Sequence, residues 1–467
     1  MTAVRSDPAE LTGRIVRPGD DGYPVATNGY NRLFPHDPAA IVFAQETQDV
    51  VNAVAWARQN DVPLRARSGR HSLEGWSNVD GGIVIDVSDL KSATIDSASN
   101  TATVGAGLNQ LEAVTELGKA GVAAATGTEG TVGLVGATLG GGFGLLTRVM
   151  GMASDNLLAA EVVVASGSDG AEAIIVDEQN NSDLLWALRG AGNGNFGIVT
   201  SLTYHVRPLT QSIYITAAWP GLGDLAGVFD AWQRCAPYTD NRLTTQLEIN
   251  PGDVRLIGVL VAGSEDEAAQ LLAPILSVGT PTVSMTDSNW ADNYAGFQVV
   301  TSEEAANWKF FSQFISEPFP AEAIDLIVSF MSKAPTPECN YFTNAFGGAV
   351  RDSEPSGGSA FAHRNSLYYA EPGAGWGGAR GELPVGRPAA PDPLTPVCLD
   401  WIAEFAEALA PYVNGAYTNV PNADMTDWET AYWGPNVDRL RAIKAKYDPN
   451  NVFTFEQSIP PLHDRGR

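Results

Sequence analysis

In the first 210 residues, short stretches of alternating apolar and polar positions are separated by segments of helical period. "AIVFA" reads as a strand, and "TQDVVNAVAWARQNDV" follows with Val50, Val51, Val54 and Ala55 on one helical face. "PLRAR" and "GGIVIDV" read as two further strands. "ATIDSASNTATVGAG" predicts a hairpin, and "NQLEAVTELGKAG" a helix capped by Asn109 and ending near Gly121. "AAEVVVASGSDGAEAIIVD" predicts a second hairpin, turning at "GSDG", before the short helix "SDLLWALRG". Beyond Ser212 the strands lengthen, as in "SIYITAAW", "VRLIGVLVAG" and "SLYYAEPGAGW". They alternate with the helices "EDEAAQLLAPILS", "AEAIDLIVSFMSKA" and "CLDWIAEFAEALAPY", a pattern that predicts a second α+β layer on an antiparallel sheet. "GARGELPVGRPAAPDPLTP" predicts an exposed loop. "VDRLRAIKAKYDPNNVFTFEQSIPP" predicts a helix stopped by Pro449, then a short aromatic strand.

A length of 467 residues makes two domains the expectation. Lys+Arg of 28 against Asp+Glu of 54, a formal charge of -26, argues against nucleic acid and anionic membranes as partners. No apolar run reaches the roughly 18 residues of a membrane span. The amino terminus lacks the apolar core of a secretion signal, so a cytoplasmic protein is expected. Cys235, Cys339 and Cys398 are odd in number and far apart, which predicts apolar packing. The histidines never form HxH or HExxH, so no metal is expected.

Against this acidic background "RARSGRHSLEGW", Arg65 to Trp76, gathers three arginines and a histidine around a glycine. Two other stretches are rich in glycine: "GTEGTVGLVGATLGGGFG" from Gly127 and "RGAGNGNFGIVT" from Arg189. Glycine at this density lets backbone N–H groups approach an anion closely. Neither "GAGLNQ" nor "GGGFGLL" completes GxGxxG in a strand–turn–helix unit with an acidic residue about 20 positions on, and no GxxxxGK[ST] occurs. The Rossmann reading therefore fails, and a P-loop is not expected.

Taken in order, the loops resemble the vanillyl-alcohol-oxidase-like flavoproteins with a PCMH-type FAD-binding domain, specifically the berberine-bridge-enzyme-like oxidases. The residues that carry the resemblance are Arg67, Ser68, Gly69, Arg70, His71 and Ser72, followed by "DGGIVID". It continues in "GLVGATLGGGFGLLTRVMGMASDNLLAAEVV", "DLLWALRGAGNGNFGIVT" and "LRAIKAKYDPNNVFTFEQSIPP". The resemblance implies a two-domain α+β fold. Residues 1–36 form an amino-terminal segment, 37–209 the FAD-binding domain, 210–415 a substrate domain on an antiparallel sheet, and 416–467 a segment returning to the first domain.

The resemblance also implies FAD contacts at Arg67, Ser68, Gly69, Arg70, His71, Ser72 and Trp76 on the first loop. On the second they fall at Gly127, Thr128, Thr131, Val132, Gly133, Gly136, Ala137, Thr138, Gly141 and Gly142. Asn195, Gly197, Ile198, Val199 and Gln457 complete the set. Family members bond the flavin 8α-methyl to the histidine of the first motif, here His71. The cysteine that gives many of them a second bond is replaced by Glu129, so a single bond is implied. Arg70 stands where the family usually has glycine. It either neutralises the pyrophosphate, the preferred reading, or points to solvent.

The base is less direct. In sugar-oxidising relatives a Tyr-x-Asn-Tyr element supplies a tyrosine; here Tyr417 and Asn419 are kept and Val420 stands in the last position. In "HRNSLYYAEPGAGW" period-2 alternation puts His363, Leu367, Tyr369 and Glu371 on one face. If that face meets the cleft, Tyr369 and Glu371 form a phenol–carboxylate pair with a pKa tuned by burial; otherwise they are a packed tyrosine and an exposed glutamate. In "CNYFTNAFGGAV", expected to be a neighbouring strand, only one of Tyr341 and Asn344 can face the flavin. Val132 lies where a small residue is typical of oxidases, which implies O2 as acceptor and hydrogen peroxide as product. The expectation is an FAD-dependent oxidase taking hydride from a CH–OH group of a carbohydrate or polyol. The alternative is an oxidase or oxidative cyclase of a polyketide, phenol or amine.

Overall fold

The computed structural model describes residues 9–300, 302–382 and 391–462. Its first sheet runs Arg14–Val16, Ala40–Phe43, Ile83–Asp86, Leu64–Arg67 in space, the last three strands parallel. Ile83–Asp86 is buried along its whole length, as a central parallel strand must be, which explains its unbroken apolar run. The second sheet is antiparallel, in the order Ala93–Asp96, Thr101–Gly105, Ile198–His205, Leu157–Ser166, Gly170–Val176, and contains both predicted hairpins. Helix Thr47–Gln59 packs against both sheets and buries Val50, Ala53, Val54 and Ala57. Asn109 caps helix Gln110–Lys119 reciprocally with Glu112: each side chain takes the other's backbone N–H.

The third sheet is antiparallel throughout. Its order is Thr282–Ser288, Ser212–Pro220, Asp253–Val261, Leu243–Asn250, Asn340–Ala345, Tyr368–Ala379, Ala305–Phe310, and Gln313–Ile315 also pairs with Tyr368–Ala379. One face is covered by helices Leu225–Cys235, Glu265–Leu276, Ala321–Met331 and Thr395–Leu409 in a core of their own. The core of the first two sheets takes in Leu440, Ile443, Tyr447, Phe453 and Ile459 from the carboxyl end. Arg148 ties the two halves together. Fully buried, it donates to the carbonyls of Pro237, Thr239, Asp240, Leu243 and Phe346 and to Asn241 Oδ1.

One predicted element does not form. After helix Val437–Tyr447 the stretch Asn451–Phe455 is irregular, because its backbone is already bonded to side chains. Asp448 accepts from Val452 and Phe453 N–H, and Lys444 Nζ donates to Phe453 O, which takes these central groups out of any ladder. Residues 383–390 of the predicted loop lie outside the described residues, as does His463. Cys339 and Cys398 are buried and Cys235 half-buried, all as free thiols. Among the described residues no helix is long and apolar enough to cross a membrane.

Candidate functional site

A cleft of about 1380 Å³, counting its open mouth, runs along the ends of the first sheet. Its walls are the segment Leu64–Leu73 with Trp76, the turn around Val132–Ala137, and parts of 193–199, 418–421 and 453–457. The first two glycine loops meet backbone to backbone: a Cβ on Gly69 would stand 2.1 Å from Gly133 N. Gly136 has open space where a side chain would project, so the cleft wall is bare backbone there. Gly197 backs onto strand Leu157–Ser166, with only 2.5 Å between its Cβ position and Val163 O.

The arginines of the opening motif converge on this cleft. Arg67 is buried and donates from Nε to Asp86 Oδ2 at 2.7 Å, while Nη1 and Nη2 have no partner. Arg67 contributes to the cleft lining, and its two buried terminal NH2 groups carry four donors without a protein partner, which leaves a positive charge beside the cleft for an anion. Arg70 also lines the cleft, in a left-handed conformation with φ of 62°. Its Nε lies 3.6 Å from Asp86 and its Nη1 donates to Val25 O, so part of its charge is committed within the protein. An anionic dinucleotide fits these walls, and the basic cluster in an acidic chain then has its counter-charge.

His71 lines the same cleft, its ring stacked on Tyr30 at 4.3 Å between centroids. Its Nε2 is 2.9 Å from Thr131 Oγ1. Burial, and secondarily the Arg380 charge, push its pKa down to about 3, so the imidazole is neutral.

Ser68, Ser72, Trp76, Val132, Ala137, Ile198, Val199 and Gln457 also line the cleft. Others of the predicted set stand behind the wall. Thr138 pairs with the Tyr204 hydroxyl in the interior, and Asn195 bonds Ala191 O and Ile459 N. Gly127 N–H donates to Gln110, and the Thr128 hydroxyl accepts from Gln246 Nε2. These residues hold the loops in shape.

Beyond Gly141 and Gly142 the second loop meets an aromatic cluster of Phe143, Phe314, Phe346, Phe361, Tyr369 and Tyr417. Asn419 bridges cleft and cluster: it lines the cleft and donates to Tyr417 Oη at 2.8 Å. Gly142 N–H donates to the same oxygen at 2.8 Å, so both contacts fill its lone pairs and leave the Tyr417 hydrogen free to donate. The Tyr369 hydroxyl donates to Glu371 Oε2. Burial drives the Glu371 carboxyl up to about 7, against a smaller downward pull from that hydrogen bond. Tyr369 and Tyr417 rings are 5.6 Å apart.

Alternation works as expected on the next strand. Asn344 lies opposite Tyr369 and accepts from Gln246 Nε2, while Tyr341 turns into the helix-side core. His363 is a correction: the strand begins at Tyr368, so period-2 counting does not reach it. It stacks on Phe314 at 4.0 Å instead, with Nε2 at 3.1 Å from Tyr432 O. Two features had no local signal in the sequence. Gln246 Oε1 is buried without a partner on the Glu371 face of the sheet. Lys309 reaches from a sheet strand to Glu74 on the His71 loop, in a buried ion pair across 235 positions.

The pattern of a family described as FAD binding domain matches residues 38–168, and that of one described as berberine and berberine like matches 416–460. An uncharacterized FAD-linked oxidoreductase of Bacillus subtilis is 38% identical over 97% of this chain and 98% of its own. The (R)-6-hydroxynicotine oxidase of Paenarthrobacter nicotinovorans is 35% identical over 49% of each chain. Among solved structures, wild-type BBE-like 1 of Physcomitrella patens superposes with a TM-score of 0.87 at 28% identity, covering 97% of this chain and 98% of that one. Motifs, cleft and comparisons agree that the chain belongs to the berberine-bridge-enzyme-like FAD-linked oxidoreductases.

Proposed function

We propose that this protein is an oxidase that holds FAD through one covalent bond to His71 and oxidises an aromatic or largely apolar small molecule at a C–H bond next to oxygen or nitrogen. FAD, when bound, supplies the two-electron acceptor for the substrate's hydride. Arg67, with Arg70 beside it, would supply positive charge to the diphosphate, and the bare backbone at Gly136 would let the cofactor lie close.

The observation that carries the catalytic reading is Glu371: a carboxylate raised to about 7, hydrogen-bonded to Tyr369 and joined through Tyr417 and Asn419 to the cleft. Glu371 takes the substrate proton. Tyr417, its oxygen already filled by two donors, gives its own hydrogen bond to the substrate heteroatom. The surrounding phenylalanines exclude water and offer few donors for a sugar's hydroxyls, so the phenol, amine or polyketide alternative is favoured over a carbohydrate. The small Val132 in the cleft wall supports O2 as acceptor and hydrogen peroxide as product.

Acid precipitation tests the attachment: a yellow pellet is expected from the wild type and a colourless one from His71→Ala. Peroxide release during a screen of aromatic alcohols and amines against sugars tests the substrate class; turnover confined to sugars would overturn it.

A further inference from the structure

Glu129, at the position of the family's second anchor, begins a chain of hydrogen bonds that ends on His71. Its Oε1 accepts from Thr131 N–H at 3.2 Å and from the Thr131 hydroxyl at 2.8 Å. A threonine hydroxyl carries one hydrogen, and a carboxylate has none to give. That hydrogen is therefore committed to Glu129, so Thr131 Oγ1 meets His71 Nε2, 2.9 Å away, as an acceptor. The turn is fixed from both sides: Gln110 Nε2 donates to Glu129 O, Gln298 Nε2 to Thr128 O, and Gly130 N–H to Gln298 Oε1. Tyr30, stacked on the imidazole, holds its plane.

We propose that Glu129 and Thr131 lock His71 as the Nε2–H tautomer, and so make Nδ1 the nitrogen that bonds the flavin 8α-methyl carbon. The proposal rests on the covalent attachment argued above. A neutral imidazole has one nucleophilic nitrogen, and the tautomer decides which. Once Nδ1 forms its bond to carbon, the ring must shed the hydrogen on Nε2, and Thr131 already points it toward Glu129. In sum one methyl C–H and one imidazole N–H are exchanged for the new N–C bond and hydrogen peroxide, with dioxygen as oxidant. Glu129 and Thr131 are positioning residues: they act through His71.

The test compares wild type with Glu129→Gln, Thr131→Val and Thr131→Ser. It reads total FAD per chain, the fraction that stays with acid-denatured protein, and the bonded nitrogen, by two-dimensional 15N NMR of the flavin peptide. Attachment through Nδ1 is expected in the wild type. The covalent fraction should fall at least threefold in Thr131→Val and Glu129→Gln and recover in Thr131→Ser, with total FAD little changed. Attachment through Nε2, or full covalent loading of Thr131→Val, would overturn the proposal. If wild type releases all its flavin in acid, the covalent reading fails and the tautomer is judged alone by 15N shifts of the His71 imidazole. Nε2–H in the wild type, with a mixture in Thr131→Val, then upholds the lock, and Nδ1–H refutes it.

Discussion

The Tyr369 hydroxyl donates to Glu371, two residues along one strand, and both side chains lie on the sheet face that meets Tyr417. Alternation alone brings the two together; desolvation gives the pair its chemistry, because a carboxylate removed from water holds its proton more tightly. Asn419 then connects the pair, through Tyr417, to the cleft wall.

Replacing Glu371 by Gln keeps the shape and removes the base. We expect flavin reduction by substrate to slow by about 10²–10⁴-fold. In the wild type that rate should rise with pH through about 7 and level off above, whereas Glu371→Gln should be flat there. The same group predicts a stability trend. Its folded pKa, about 7, lies above the ordinary 4.5, so its contribution is complete below 4.5 and is lost as pH rises through 7. Melting temperature across pH 5–8 should therefore fall less in Glu371→Gln than in the wild type.

Arg67→Lys retains a cation for Asp86 but loses the two unpartnered terminal NH2 groups of the guanidinium. FAD content after purification should drop several-fold with a smaller change in melting temperature. A variant that retains full FAD would mean those nitrogens are not the anion's ligands.

Much of this was legible because the signals are local. Hairpins, the Asn109 cap, the strands flanking the first motif and the placement of Tyr369 beside Glu371 all follow from period, turn chemistry and neighbours within a few residues. What failed needed distant partners. The aromatic stretch after Pro449 has strand composition, yet Asp448 and Lys444 capture its backbone. Thr138 sits in a glycine-rich loop motif but turns inward because Tyr204, 66 positions away, takes its hydroxyl. The contact between His71 and Thr131 spans 60 positions and depends on two loops closing at Gly69 and Gly133, which no window along the chain contains.

That closure is open to test. A methyl group at residue 133 would lie 2.6 Å from Gly69 N and 2.8 Å from Ser68 Oγ; the serine hydroxyl can turn aside, but the Gly69 backbone cannot. Gly133→Ala should push the loops apart, lowering covalent flavin fraction and melting temperature together. Gly136→Ala, at a position with open space around it, should leave stability unchanged while weakening FAD retention. Differential scanning fluorimetry alongside flavin absorbance separates the two effects.

Arg148 offers a test of what joins the halves. Burial pulls its pKa down to about 10, and among the described residues no carboxylate bonds it; five carbonyls and the Asn241 side chain satisfy its planar fork instead. Lysine brings three donors on a single nitrogen and cannot reach acceptors spread from Pro237 to Phe346. With several buried carbonyls left unpaired, Arg148→Lys should cost about 2–4 kcal/mol in denaturant unfolding, and Arg148→Met more. Because the arginine spans the helix Thr147–Met150 and the strand Leu243–Asn250, the loss should also make unfolding less cooperative, with the flavin signal and the far-ultraviolet signal separating. Coincident transitions and an unchanged midpoint would show that the two cores are held together without it.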